Sequence, residues 1–122
     1  MPRFRISVRN VLFVALCLVA AACGKSSPKI SLSTEKIVVR GHVGVHGVGF
    51  TPKANIQSHL RRPDGSEFPE LPMLTDSRGE ISHDIDTMLF LPGIHEVWMI
   101  DSTTGVSSNV VHFEVLLHEP SK

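Results

Sequence analysis

Pro92-Gly93-Ile94-His95-Glu96-Val97-Trp98-Met99-Ile100-Asp101 decides the fold of this chain. The pair Pro92-Gly93 breaks any preceding element, and strict alternation then sorts His95, Val97 and Met99 to one face and Glu96, Trp98 and Ile100 to the other. That is the signature of a strand with two different faces. Outward from it, apolar residues keep a period of two, and turn signals interrupt them every 8 to 15 residues. No stretch of the body carries a 3.6-residue pattern longer than two turns. Strands are expected at Ile30 to Ser33, Ile37 to His46 with a break at Gly41, Asn55 to Arg62, Met73 to Thr75, Glu80 to Asp86, Ile94 to Asp101 and Asn109 to Leu116. About seven antiparallel strands in so short a body predict an all-β, immunoglobulin-like sandwich over residues 30–116, with a tail over 117–122.

The turns between them have mechanisms. Arg62-Pro63-Asp64-Gly65, with Pro second and Gly fourth, and Asp76-Ser77-Arg78-Gly79, opening with Asp and closing with Gly, suit type I turns, and both are expected to join neighbouring strands. Gly44, Gly47 and Gly49 read as a bend where backbones approach closely.

Composition removes several classes. The 122 residues suffice for one ordinary domain, and 12 basic against 12 acidic residues leave no cationic footprint for a general nucleic-acid binder. Two cysteines exclude a disulfide scaffold and a four-cysteine zinc site.

The first 22 residues read as an address. Arg3, Arg5 and Arg9 precede an uncharged stretch from Val11 to Val19, then Ala20-Ala21-Ala22-Cys23, the layout of a secretory signal. The apolar run from Val11 to Cys23 would span about 20 Å as a helix, short of the roughly 30 Å bilayer core. Its end resembles the lipobox of bacterial lipoproteins, with Ala20 where that family most often has Leu. The resemblance implies cleavage before Cys23, a covalent lipid on its thiol, and three acyl chains in all. Cleavage after Ala22 by the general signal peptidase fits the same residues but leaves an unpaired thiol; Cys17 as the modified residue would strand the apolar segment behind it. Without Arg3, Arg5 and Arg9 the remainder has nine basic against twelve acidic residues, a formal charge near −3, so membrane attachment is expected to be lipidic. Residues 23–29 form a tether, polar and broken by Pro28, whose last five residues reach at most about 17 Å. Gly24 follows the cysteine in place of Asp, which in the family's sorting pattern favours the outer membrane of the bacterial envelope.

Gly47-Val48-Gly49-Phe50-Thr51-Pro52, Arg62-Pro63-Asp64-Gly65, Thr75-Asp76-Ser77-Arg78-Gly79, Leu91-Pro92-Gly93-Ile94-His95-Glu96-Val97 and Thr104-Gly105-Val106-Ser107-Ser108-Asn109 come in an order that resembles bacterial immunoglobulin-like modules of the IPT/TIG group. The resemblance spans about Ile30 to Leu116 and implies an architecture used for adhesion, spacing or partner binding. It also implies that His95, Val97 and Met99 face the core. His95 stands where many such domains have Tyr, so a tyrosine-corner hydrogen bond is either absent or made by imidazole.

On that assignment the strands at Asn55 to Arg62, Ile94 to Asp101 and Asn109 to Leu116 share a sheet whose outer face carries His59, Arg61, Glu96, Trp98, Ile100 and His112. A tryptophan beside apolar residues and rimmed by charge has the composition of a protein-binding patch. The alternative puts Trp98 in the core, one residue out of register. Seven histidines raise metal binding, with His59, Glu96 and His112 as the candidate ligands; His42 and His46, four apart on a strand, stand about 13 Å apart and cannot share an ion. Ser82, Asp84 and Asp86 share a strand face and read as a solvated surface; no G-x-S-x-G, HExxH or Cys-x-x-Cys is present. The expectation is a non-enzymatic envelope lipoprotein without a cofactor beyond the lipid on Cys23. It would bind an envelope protein through the Trp98 face; the alternatives are a periplasmic metal or small-ligand binder and an accessory subunit or inhibitor of an envelope assembly.

Overall fold

The chain's computed structural model describes residues 27–119, among which there is no helix. Residues 1–22, Cys23 and the start of the tether lie outside the described residues, as does the end of the tail. Eight strands are formed: β1 (Lys29–Leu32), β2 (Lys36–Val38), β3 (His42–Val48), β4 (Asn55–Arg61), β5 (Leu71–Leu74), β6 (Ile81–Asp86), β7 (Gly93–Asp101) and β8 (Val111–Leu116). They make two sheets, β1-β3-β6 and β2-β8-β7-β4-β5. The first part of the chain contributes one strand to each sheet, and β7 sits between β8 and β4. This is an immunoglobulin-like sandwich.

Period-two alternation builds the core. Val43, Val45, Ile81 and Ile85 project from one sheet, Ile56, Val97, Met99, Phe113 and Val115 from the other, and all are buried. Each such side chain contributes about 1.5 to 3 kcal/mol when removed from water. Gly47 is required within β3, because a Cβ there would stand 2.8 Å from the Phe50 ring and 3.1 Å from Ile81.

Three expectations are corrected. The segment foreseen from Ile37 to His46 breaks at Gly41 as expected, but its two halves, β2 and β3, lie in different sheets. Arg40 takes a left-handed φ of 79°, the Gly41 amide bonds the Val38 carbonyl at 2.9 Å, and the chain turns away from β8 toward β6. Gly41 permits this, since a Cβ would lie 2.6 Å from the Ile37 side chain. Secondly, the sandwich is not wholly antiparallel: β2 runs parallel to β8, Ile37 opposite Val115. The chain leaves β3 at the Ser33 amide to Gly44 carbonyl bond and joins β8 through the Glu35 carbonyl, which forces that direction. Thirdly, Asp76 to Gly79 is closed by the foreseen hydrogen bond, at 3.1 Å, but it links β5 to β6 across the sheets and does not join neighbours.

Two polar anchors tie the sheets together. The Asn109 side chain accepts from the Ile30 amide at 2.8 Å and donates to the Ile30 carbonyl at 3.0 Å, acting as one residue of strand beside β1. Asp101, only 2% exposed, accepts from the Thr51 amide and hydroxyl at 2.8 and 2.9 Å and from the Thr103 amide at 2.9 Å. Burial alone would raise its carboxyl pKa; the donors from Thr51, Thr103 and Thr104 outweigh that and hold it below the usual carboxylate value.

Candidate functional site

In β7 the interior positions are taken by His95, Val97, Met99 and Asp101, none more than 2% exposed. Trp98 therefore lies on the outer face of the five-stranded sheet, and the out-of-register alternative is excluded. It is half-buried by its neighbours. The ladder sets His59 opposite Trp98 and Arg61 opposite Glu96 across β4 and β7, and Glu96 opposite His112 across β7 and β8.

The side chains follow the register. The His59 ring stacks on the Trp98 indole, centroids 5.2 Å apart and planes 5° from parallel, and the Arg61 guanidinium carbon sits 4.8 Å from the indole centre. Arg61 Nη1 donates to Glu96 Oε1 at 2.9 Å, and His112 Nε2 meets Glu96 Oε2 at 3.0 Å. Glu96 thus has both oxygens engaged, one by each flanking strand. Ile100 lies further along the same face, opposite Gln57.

The loop between β4 and β5 closes over one side of this cluster. Glu67 stands 3.8 Å from His59 Nδ1 and 3.7 Å from Arg61 Nη2, and Glu70 stands 3.7 Å from His59 Nε2. Sequence reasoning missed both glutamates, because they belong to a loop whose path no periodicity specifies.

The structure does not bring His59 together with Glu96 and His112. His59 turns to the loop carboxylates, whereas Glu96 is held between Arg61 and His112, so the foreseen metal ligand set does not converge. Among the described residues no group of three or more His, Cys, Asp or Glu is placed to hold a metal ion.

The opposite face of the sandwich carries Ser82, Asp84 and Asp86, all exposed. His42 Nδ1 meets Asp84 at 3.0 Å, and His46 Nδ1 meets Ser82 Oγ at 3.2 Å. The imidazole beside the hydroxyl is not the one beside the carboxylate, so no nucleophile relay is assembled. A shallow depression of about 480 Å³ over Gly44 is lined by Ser31, Ser33, His46, Ser82 and Asp84.

One end of the molecule exposes apolar residues that the sequence reading passed over. Between β6 and β7, Leu89 is 89% and Leu91 66% exposed, with Met88 beside them. Phe90, between the two leucines, points inward and stacks on Phe68 and His95, each with ring centroids 5.0 Å apart. The signal was available in Met88-Leu89-Phe90-Leu91-Pro92, a run of consecutive apolar residues without period two. His95 itself makes the hydrogen bond left open above, Nδ1 to the Gly93 carbonyl at 3.2 Å.

These features define a small two-sheet immunoglobulin-like module with a polar, tryptophan-centred outer face. The sequence matches no family model and no curated protein. Among solved structures, it is similar to the CARDB domain of a Pyrococcus furiosus protein in complex with di-metal ions, at 10% identity and a TM-score of 0.45, over 75% of this chain and 93% of that one. It is also similar to the PKD domain of an M14-like peptidase from a Thermoplasmatales archaeon, at 14% identity and a TM-score of 0.43, over 76% and 94%. At these values the likeness concerns the course of the chain and nothing of its chemistry.

Proposed function

We propose that this chain is a non-enzymatic lipoprotein of the bacterial envelope, anchored through a lipid on Cys23 and favouring the outer membrane, whose sandwich binds another envelope protein through the Trp98 face. The observation that carries the binding reading is the half-buried Trp98, held between His59 and Arg61 on the outside of the sheet and rimmed by Glu96 and His112. A tryptophan with fixed geometry and a charged rim is the composition of an interface centre. The anchoring reading rests on Arg3, Arg5, Arg9 and Ala20-Ala21-Ala22-Cys23.

Mass spectrometry of the chain purified from a bacterial envelope tests the anchor: a first residue at Cys23 carrying acyl chains supports it, and an unmodified thiol ends it. Capture from the same envelope tests the face. One protein retained by the full chain and lost with Trp98→Ala and with Arg61→Ala, both still folded, supports the reading; retention by both variants removes it.

A further inference from the structure

Among the described residues, His59 carries the one buried side-chain nitrogen or oxygen without a hydrogen-bond partner. Its side chain is 12% exposed, and the atom is Nε2. Yet each ring nitrogen looks toward a carboxylate, Nδ1 toward Glu67 at 3.8 Å and Nε2 toward Glu70 at 3.7 Å. Both separations exceed hydrogen-bond length, which runs from about 2.7 to 3.2 Å.

A neutral imidazole has one N–H and one lone pair, and an ionised carboxylate only accepts. With the ring neutral, one of the two carboxylates must face a lone pair, so the loop cannot close on both nitrogens whichever tautomer forms. With the ring protonated, both nitrogens donate and both contacts become charge-assisted hydrogen bonds. The other groups around the ring favour the same geometry without supplying the missing donor. Arg61, on β4, is drawn to Glu67 and Glu96; Glu96, on β7, is occupied by Arg61 and His112; β5 presents Leu71 and Pro72, which do not titrate.

We propose that His59 is a pH-operated latch: on taking its second proton it draws Glu67 and Glu70 inward and locks the loop between β4 and β5 against the Trp98 face. A closed latch keeps the His59 ring on the indole, so a partner seeking Trp98 must displace an ion-paired imidazolium and binds more weakly in acid. That control of binding rests on the function proposed above; the closing movement does not.

The chain's single tryptophan reports the charge on the stacked ring, because a charged imidazole stacked on indole quenches its fluorescence, and the glutamate variants tie that charge to the loop. The full chain in detergent is titrated from pH 8 to 5, alongside His59→Gln, the double variant Glu67→Gln/Glu70→Gln, and His112→Gln. The expected result is a fall in Trp98 emission for the wild type, no fall in His59→Gln, an unchanged profile in His112→Gln, and a transition moved to lower pH in the double variant. The glutamates are about half exposed, so their replacement leaves the fold in place. A fall that persists in His59→Gln overturns the proposal, as does a double variant whose transition coincides with the wild type.

Discussion

The Asp101 carboxylate at the end of β7 receives both the amide and the hydroxyl of Thr51, 50 residues earlier in the chain. Through Thr103 it also holds the turn that follows its own strand, so one buried anion fastens two loops at the same end of the sandwich. Asp101→Ala leaves those donors without an acceptor and is expected to cost about 2 to 4 kcal/mol. Urea unfolding at pH 7 measures it. Because the folded carboxyl is held below its unfolded value, the stabilisation is complete above about pH 4 and is lost as pH falls through the folded pKa. Asp101→Asn removes that acid dependence.

His95 acts at higher pH. Burial pushes its pKa down, the Gly93 carbonyl partly restores it, and the Arg62 charge lowers it again. The unfolded chain therefore takes up a proton near pH 6.5 that the folded chain refuses, and stability falls as pH drops below that value toward the depressed folded pKa. His95→Phe, stacked between Phe90 and Phe113, is expected to flatten this slope in thermal unfolding between pH 7 and 5. If the difference between wild type and variant does not change over that interval, His95 is not the group responsible.

Trp98 and Met99 are consecutive residues on opposite faces of β7. Met99, fully buried, is expected to cost about 2 to 5 kcal/mol when cut to Ala. Trp98→Ala removes a stack and a cation–π contact at a partly solvated face, an expected loss of about 1 to 2 kcal/mol with the fold retained. Equal losses in chemical denaturation would contradict the assignment of faces.

Gly65 and Gly79 both close turns in left-handed conformations, with φ of 91° and 75°. They differ in surroundings. A Cβ at Gly65 meets nothing within 4 Å, whereas at Gly79 it would stand 2.1 Å from the Phe50 carbonyl oxygen. Gly65→Ala is expected to cost about 1 to 2 kcal/mol of backbone strain alone, and Gly79→Ala clearly more, because backbone must move. Melting temperatures of the two variants rank them.

Alternation carried most of the fold. In β7 and β8 it sorted each residue to the side the structure shows, because a half-buried strand has to alternate. It failed between Ile37 and His46, where apolar spacing continues straight through a change of sheet. The break at Gly41 was legible, but the left-handed Arg40 that sends β3 to the other sheet carries no turn signal. The six residues expected on the outer face were legible for the same reason as the strands. Glu67 and Glu70 were not, since their contacts depend on how an irregular loop folds back. The metal grouping failed for a related reason: facing strands bring residues near, but Arg61 reaches Glu96 first, and the ion pair uses the carboxylate that a cation would need.

The placement of β1 has a mechanical consequence. Four successive residues of β1 pair antiparallel with Val45 to Val48 of β3, and Asn109 grips Ile30 from the second sheet. Tension arriving ahead of Lys29 runs along the axis of that strand. It pulls the crosswise bonds in shear, all at once, where a force applied at right angles would peel them singly. A body loaded from that side should slide as a block before it unzips.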